Sequence, residues 1–157
     1  EGLVVVNITP ERNWNIHDPE KKALKLRKLN EFVEACRQRE LPTIAGTEMN
    51  KPGQPFVDNF KGPELSPLLE DFYRGALMVY GHGIAARFGD WTYFSQWAER
   101  AFGPWGSLEG RRRRNEFYTA LGEAGAFSVA QREKLSSLGK DPSPEEILSS
   151  VGSKGSS

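Results

Sequence analysis

Apolar residues along this chain change their spacing early. The run Leu3–Val6 is apolar without interruption and gives way to the polar stretch "NITPERNWNIHD". A strand over 3–7 that is apolar on both faces belongs in the middle of a covered sheet, the usual setting of parallel strands. From Asp18 onward the spacing becomes three and four: Leu26, Leu29, Val33 and Cys36, with Phe32, form one stripe. Lys, Arg and Glu fill the other positions, which predicts a surface helix lying on a sheet. Asp18 is placed to cap that helix, Pro19 suits its first turn, and Glu20 complements the positive end of its dipole. The helix stops near "RELP", and a second strand follows at 42–47. Two strands joined through such a helix are expected to be parallel, by a right-handed crossover.

After "GTEMNKPGQ" the pattern turns helical. Residues 64–74 predict one helical segment, with Pro67 in its first turn, and 91–102 and 108–123 predict two more. The stretch 75–89, "GALMVYGHGIAARFG", reads either as a buried helix or as a short third strand at 77–80 followed by a helix. Beyond 127 the composition becomes polar. Ser128 with Gln131 and Ser143 with Glu146 have the spacing of capping boxes, so two short helices are expected, and the closing "SVGSKGSS" lacks the apolar residues to order itself. The expected organisation is an α/β domain over 1–127, with two or three parallel strands followed by mainly helical segments, and a weakly helical tail over 128–157. A both-faces-apolar strand needs two neighbours, so the sequence is expected to be the C-terminal part of a larger domain, or a processed or incomplete chain.

Composition narrows the partners. The 157 residues carry 21 basic and 21 acidic side chains, a formal net charge of zero. That balance gives no electrostatic reason to expect nucleic acid or an anionic membrane. The single cysteine, Cys36, excludes an intrachain disulfide framework and a cysteine-rich zinc site, and fits a reducing, cytoplasmic compartment.

Four stretches carry candidate chemistry. Glu48 stands where the second strand runs out, and in parallel α/β folds functional groups gather at the carboxyl ends of strands. A carboxylate there can hold a metal ion or act as a base; it can equally cap a loop. Gly46 beside it permits close approach, and Asn50 adds an amide. The loop "TPERNWN" leaves the first strand on the same side. Arg12 there suits bidentate binding of phosphate or carboxylate, with Asn13 and Asn15 to orient it and Trp14 as a wall; a polar loop with Arg12 paired to a nearby acid is the plainer alternative. His82, between two glycines, is a candidate metal partner of Glu48 or a packed ring, and His17 reads as a loop residue. Two histidines and one cysteine cannot furnish a histidine-rich binuclear site alone. The run Arg111–Arg114 reads as a solvated patch paired with Glu109 and Glu116.

"NITPERNWNI", followed by "DPE" and a helix and then by "LPTIAGTEMNKPGQPFVDNF", resembles bacterial members of the PHP (polymerase and histidinol phosphatase) superfamily, in an uncharacterised branch. The similarity covers about residues 3–125. It implies the C-terminal part of a distorted (β/α)7, TIM-like barrel and metal-dependent phosphoester hydrolysis of a small phosphorylated substrate. It also implies divalent ions (Mn, Zn or Fe), present only with the missing N-terminal part of the same domain. The family's Gly-x-Glu at a strand end maps onto Glu48, giving a metal ligand. Arg12 would lie on the phosphate side, catalytic together with Asn50. The family's His-x-His and its later Asp-x-His are both absent. A degenerate barrel serving as a non-catalytic binding or regulatory module is therefore the competing expectation. A sugar hydrolase pairing Glu48 with Asp58 or Asp90 is a third.

Overall fold

The computed structural model describes residues 5–47, 52, 56–125 and 127–152. These fold as two compact units, Glu1–Ala76 and Leu77–Ser157.

The first unit is the expected β-α-β arrangement. Strands β1 (Val6–Ile8) and β2 (Thr43–Ala45) pair in parallel, with Val6 opposite Thr43, Asn7 opposite Ile44 and Ile8 opposite Ala45. Between them lie the four-residue turn of helix α1 (Glu11–Trp14), inside the stretch read as loop, and the long helix α2 (Pro19–Arg37). Asp18 caps α2 as its sequence promises: Oδ1 accepts from the backbone N–H of Glu20 at 3.0 Å and of Lys21 at 3.1 Å. Leu29, Val33 and Cys36 are the buried face of α2, whereas Phe32 is 49% exposed. Phe32, three residues after Leu29 and four before Cys36, falls about 60° round the helix from Leu29, at the margin of the buried stripe. The core of the unit joins Ile8 of β1 to Leu29 and Val33 of α2 and to Leu65, Leu68 and Phe72. Two ion pairs tie α2 to the later segment: Lys22 with Glu64 at 2.5 Å, and Arg37 with Asp71 at 2.9 Å.

A single 3-10 turn, Ser66–Leu68, leads into helix α3 (Leu69–Phe88). The stretch 77–80 is therefore helical, and the described residues contain two strands. The helix runs unbroken through its glycines, and close contacts require two of them. A side chain on Gly75 would put its Cβ 2.0 Å from the Thr43 carbonyl oxygen of β2. Within the second unit, a Cβ on Gly81 would stand 1.8 Å from the carbonyl oxygen of Tyr118.

In the second unit, helices α4 (Gln96–Phe102) and α5 (Leu108–Glu123) are capped by Ser95 and Ser107. The stretch 91–95, expected to be helical, is instead a turn that lays Trp91 and Tyr93 into the core. There Tyr93 stacks on Tyr118 with ring centroids 5.7 Å apart, and Trp97 meets Phe102 edge-on at 5.4 Å. Helices α6 (Val129–Ser137) and α7 (Pro144–Val151) follow, each with a complete capping box, Ser128–Gln131 and Ser143–Glu146. Both lie in the segment expected as a tail. They bury Leu135, Ile147 and Val151, and the Trp97 indole donates to the Pro142 carbonyl at 2.6 Å.

Arg114 departs most from expectation. It was grouped with a solvated basic run, yet it is fully buried. Its Nε donates to the Tyr93 carbonyl at 3.0 Å and its Nη1 to the Gly103 carbonyl at 2.7 Å. Its guanidinium carbon lies 5.6 Å from the Tyr93 ring centroid and 5.9 Å from that of Phe102. Glu99 stands 3.5 Å from Nη2. One face of α5 must pack, and a residue every three or four positions meets the core even within an arginine run.

Candidate functional site at the carboxyl edge of the parallel strands

Because β1 and β2 are parallel and in register, both end on the same edge of the sheet. The backbone N–H of Gly46, the first residue past β2, donates to the Ile8 carbonyl at 2.7 Å, which carries the pairing to the last residue of β1. The Asn7 side chain lies directly over Gly46, since a Cβ added there would meet Asn7 Oδ1 at 2.4 Å. A side chain at position 46 would oblige the Asn7 amide to move aside.

Past β1 the chain turns at once into α1. Arg12 and Asn13 thus lie on one short helical turn at that edge, and Asn15 is its C-cap. Arg12 is exposed. The amides of the other two serve the turn itself: Asn13 Nδ2 donates to the Thr9 carbonyl at 3.3 Å, and Asn15 Nδ2 to Glu11 Oε1 at 2.9 Å.

Trp14 points inward and donates through Nε1 to Asp58 Oδ1 at 2.5 Å. Asp58 is 6% exposed. Burial raises its carboxyl above the ordinary value; the indole hydrogen bond acts in the opposite direction, and the charge of Glu11 adds to the rise. A carboxyl held in this way can keep or release a proton nearer neutrality than a surface aspartate. Sequence reasoning weighed Asp58 only as one possible member of a carboxylate pair and did not link it to Trp14. The link spans 44 positions, and no local spacing announces it.

Glu48 and Asn50 lie outside the described residues. His82 is in α3, within the second unit, half-buried and edge-on to the Tyr118 ring at 5.4 Å. Burial lowers its pKa, favouring the neutral ring. His17 is exposed. Among the described residues no three of His, Cys, Asp and Glu gather as metal ligands. Asp58 also commits one oxygen to Trp14. The described side chains therefore do not by themselves form the ligand set of a divalent ion, and no chemical step is derived through one. No helix among the described residues is long and apolar enough to cross a membrane.

Comparison with protein families, with curated proteins and with solved structures finds no match to this chain.

Proposed function

We propose that this chain is part of a barrel-type hydrolase acting on a small phosphorylated substrate, with its reaction centre at the carboxyl edge of β1 and β2. What supports the reading is the parallel register of the two strands. It delivers the Arg12 turn and the loop that begins at Gly46 to one edge, where parallel α/β folds hold their ligands. In this reading Arg12 binds phosphoryl oxygens, its planar fork matching their geometry. Asn50 orients the substrate, and Glu48 is assigned to a divalent ion whose remaining ligands come from outside the described residues.

The test is phosphatase activity toward a generic aryl phosphate, measured with added Mn²⁺ or Zn²⁺ on the protein in its full natural length. Glu48→Gln is expected to lower kcat by at least about 100-fold, as loss of an essential ligand does. Arg12→Gln is expected mainly to raise KM. Full activity in Glu48→Gln sinks the assignment.

One observation favours a second reading, a non-catalytic binding or regulatory module. The groups at this edge are spent on local structure: Asp58 on Trp14, Asn13 on Thr9 and Asn15 on Glu11. That reading expects no turnover from the full-length protein under any metal, with an unchanged fold in Glu48→Ala.

A further inference from the structure

In the second unit, residues 79–88 of α3 together with Phe127 and Arg132 line a groove of about 560 Å³. This is within the range of small-molecule sites, roughly 300–1,000 Å³. Its walls are apolar and aromatic, with Tyr80, Ile84 and Phe127 among them, and two arginines, Arg87 and Arg132, line it as well. No carboxylate lines it among the described residues. Arg132 is held in place by its Nε, which donates to the Phe127 carbonyl at 3.1 Å. Arg87 makes no ion pair among the described residues.

Gly83 lines the same groove, and it has no packing reason to be glycine. Gly81 and Gly122 are wedged against backbone, but a Cβ on Gly83 would meet nothing within 4 Å. A glycine inside a helix costs about 1 kcal/mol relative to alanine. Here that cost is balanced by no close contact; what the missing side chain leaves is room in the groove.

We propose that this groove binds an amphipathic monoanion, with its apolar body against Tyr80, Ile84 and Phe127 and its carboxylate on Arg87 and Arg132. The charge argument survives the helix dipole. The C-terminal end of α3 contributes about half a negative charge, which opposes an anion, and the two guanidinium groups outweigh it. The site is independent of the carboxyl-edge reading and stands or falls separately.

Decanoate is the probe, with decanol as its uncharged counterpart, titrated by calorimetry and by ¹H–¹⁵N shift changes on the full chain. Decanoate is expected to bind saturably with Kd below about 1 mM, moving the resonances of Gly83, Arg87 and Phe127. Replacing both arginines, Arg87→Gln with Arg132→Gln, is expected to weaken it about tenfold, the scale of charge-assisted hydrogen bonds. Gly83→Leu, which projects into open space and leaves the helix intact by circular dichroism, is expected to abolish binding. The proposal is overturned by absence of saturable decanoate binding, by equal affinity for decanol, or by unchanged affinity in Gly83→Leu.

Discussion

Two glycines two positions apart on α3 are expected to respond to the same substitution with opposite signs. At Gly81 the methyl of alanine would lie 1.8 Å from the Tyr118 carbonyl oxygen, 2.8 Å from the Gly122 amide nitrogen and 2.9 Å from the Tyr118 carbonyl carbon. All three are backbone atoms, so no side chain can swing away. Restoring ordinary contact requires α3 and α5 to part by roughly 1.5 Å, and a gap of about 1 Å already forfeits up to half of a dispersion well. The seam is reciprocal, because a Cβ on Gly122 would meet the Leu77 carbonyl oxygen at 2.1 Å. Overpacking of this kind costs about 3 kcal/mol. The better helix propensity of alanine returns about 1 kcal/mol, leaving a net loss of about 2 kcal/mol. Gly83→Ala meets open space and keeps the propensity gain, about 0.5–1 kcal/mol of added stability. Urea unfolding followed by tryptophan fluorescence reads both variants, since Trp91 and Trp97 are buried in the same unit. The midpoint is expected to fall by about 1 M for Gly81→Ala and to rise for Gly83→Ala. Shifts of the same sign, or an unchanged midpoint for Gly81→Ala, would refute the close-contact account of this helix pair.

Two further outcomes follow from buried charge. Arg114→Met keeps the volume of the side chain but strips the Tyr93 and Gly103 carbonyls of their donor. Thermal unfolding is expected to show a loss of about 3 kcal/mol, and a neutral result would mean that water reaches those carbonyls. For Asp58 the folded carboxyl is raised above the ordinary 3.8, chiefly by burial. Its stabilising contribution is therefore complete below that value and is lost as pH rises through the folded pKa. Asp58→Asn keeps an oxygen for Trp14 and removes the charge, so its melting temperature is expected to exceed the parent's at pH 7. That advantage should vanish below pH 3.8; one that persists in acid would place the effect elsewhere than in ionisation.

Local signals were well read in the sequence, and distant partners were not. Asp18, Ser128 and Ser143 cap their helices because capping acts within three residues, all of which the sequence displays together. The parallel pairing of β1 with β2 follows from the helix between them. The unbroken course of α3 was obscured by its glycines, two of which, Gly75 and Gly81, are close-contact points in three dimensions while Gly83 faces open space. Trp91 and Phe94 continue the helical spacing of Trp97 back toward the N-terminus but precede the helix, because the cap at Ser95 starts α4 four residues later than the aromatic pattern does. At the candidate site, the sequence singles out Arg12, Asn13 and Asn15 by their chemistry, and the backbone places them just past the end of β1. The Trp14–Asp58 hydrogen bond was not legible, since its partners stand 44 positions apart.

The burial of Arg114 also bears on the order in which the second unit assembles. A guanidinium cannot leave water until acceptors are in place, and two of them belong to the segment 93–103, which precedes α5 in the chain. Docking of α5 before that segment has closed would bury a naked cation at a cost of several kcal/mol. Early compact states of this unit are thus disfavoured unless the turn carrying Tyr93 and the end of α4 have already formed. Burial of Arg114 thus links the docking of α5 to prior closure of the segment that supplies its acceptors.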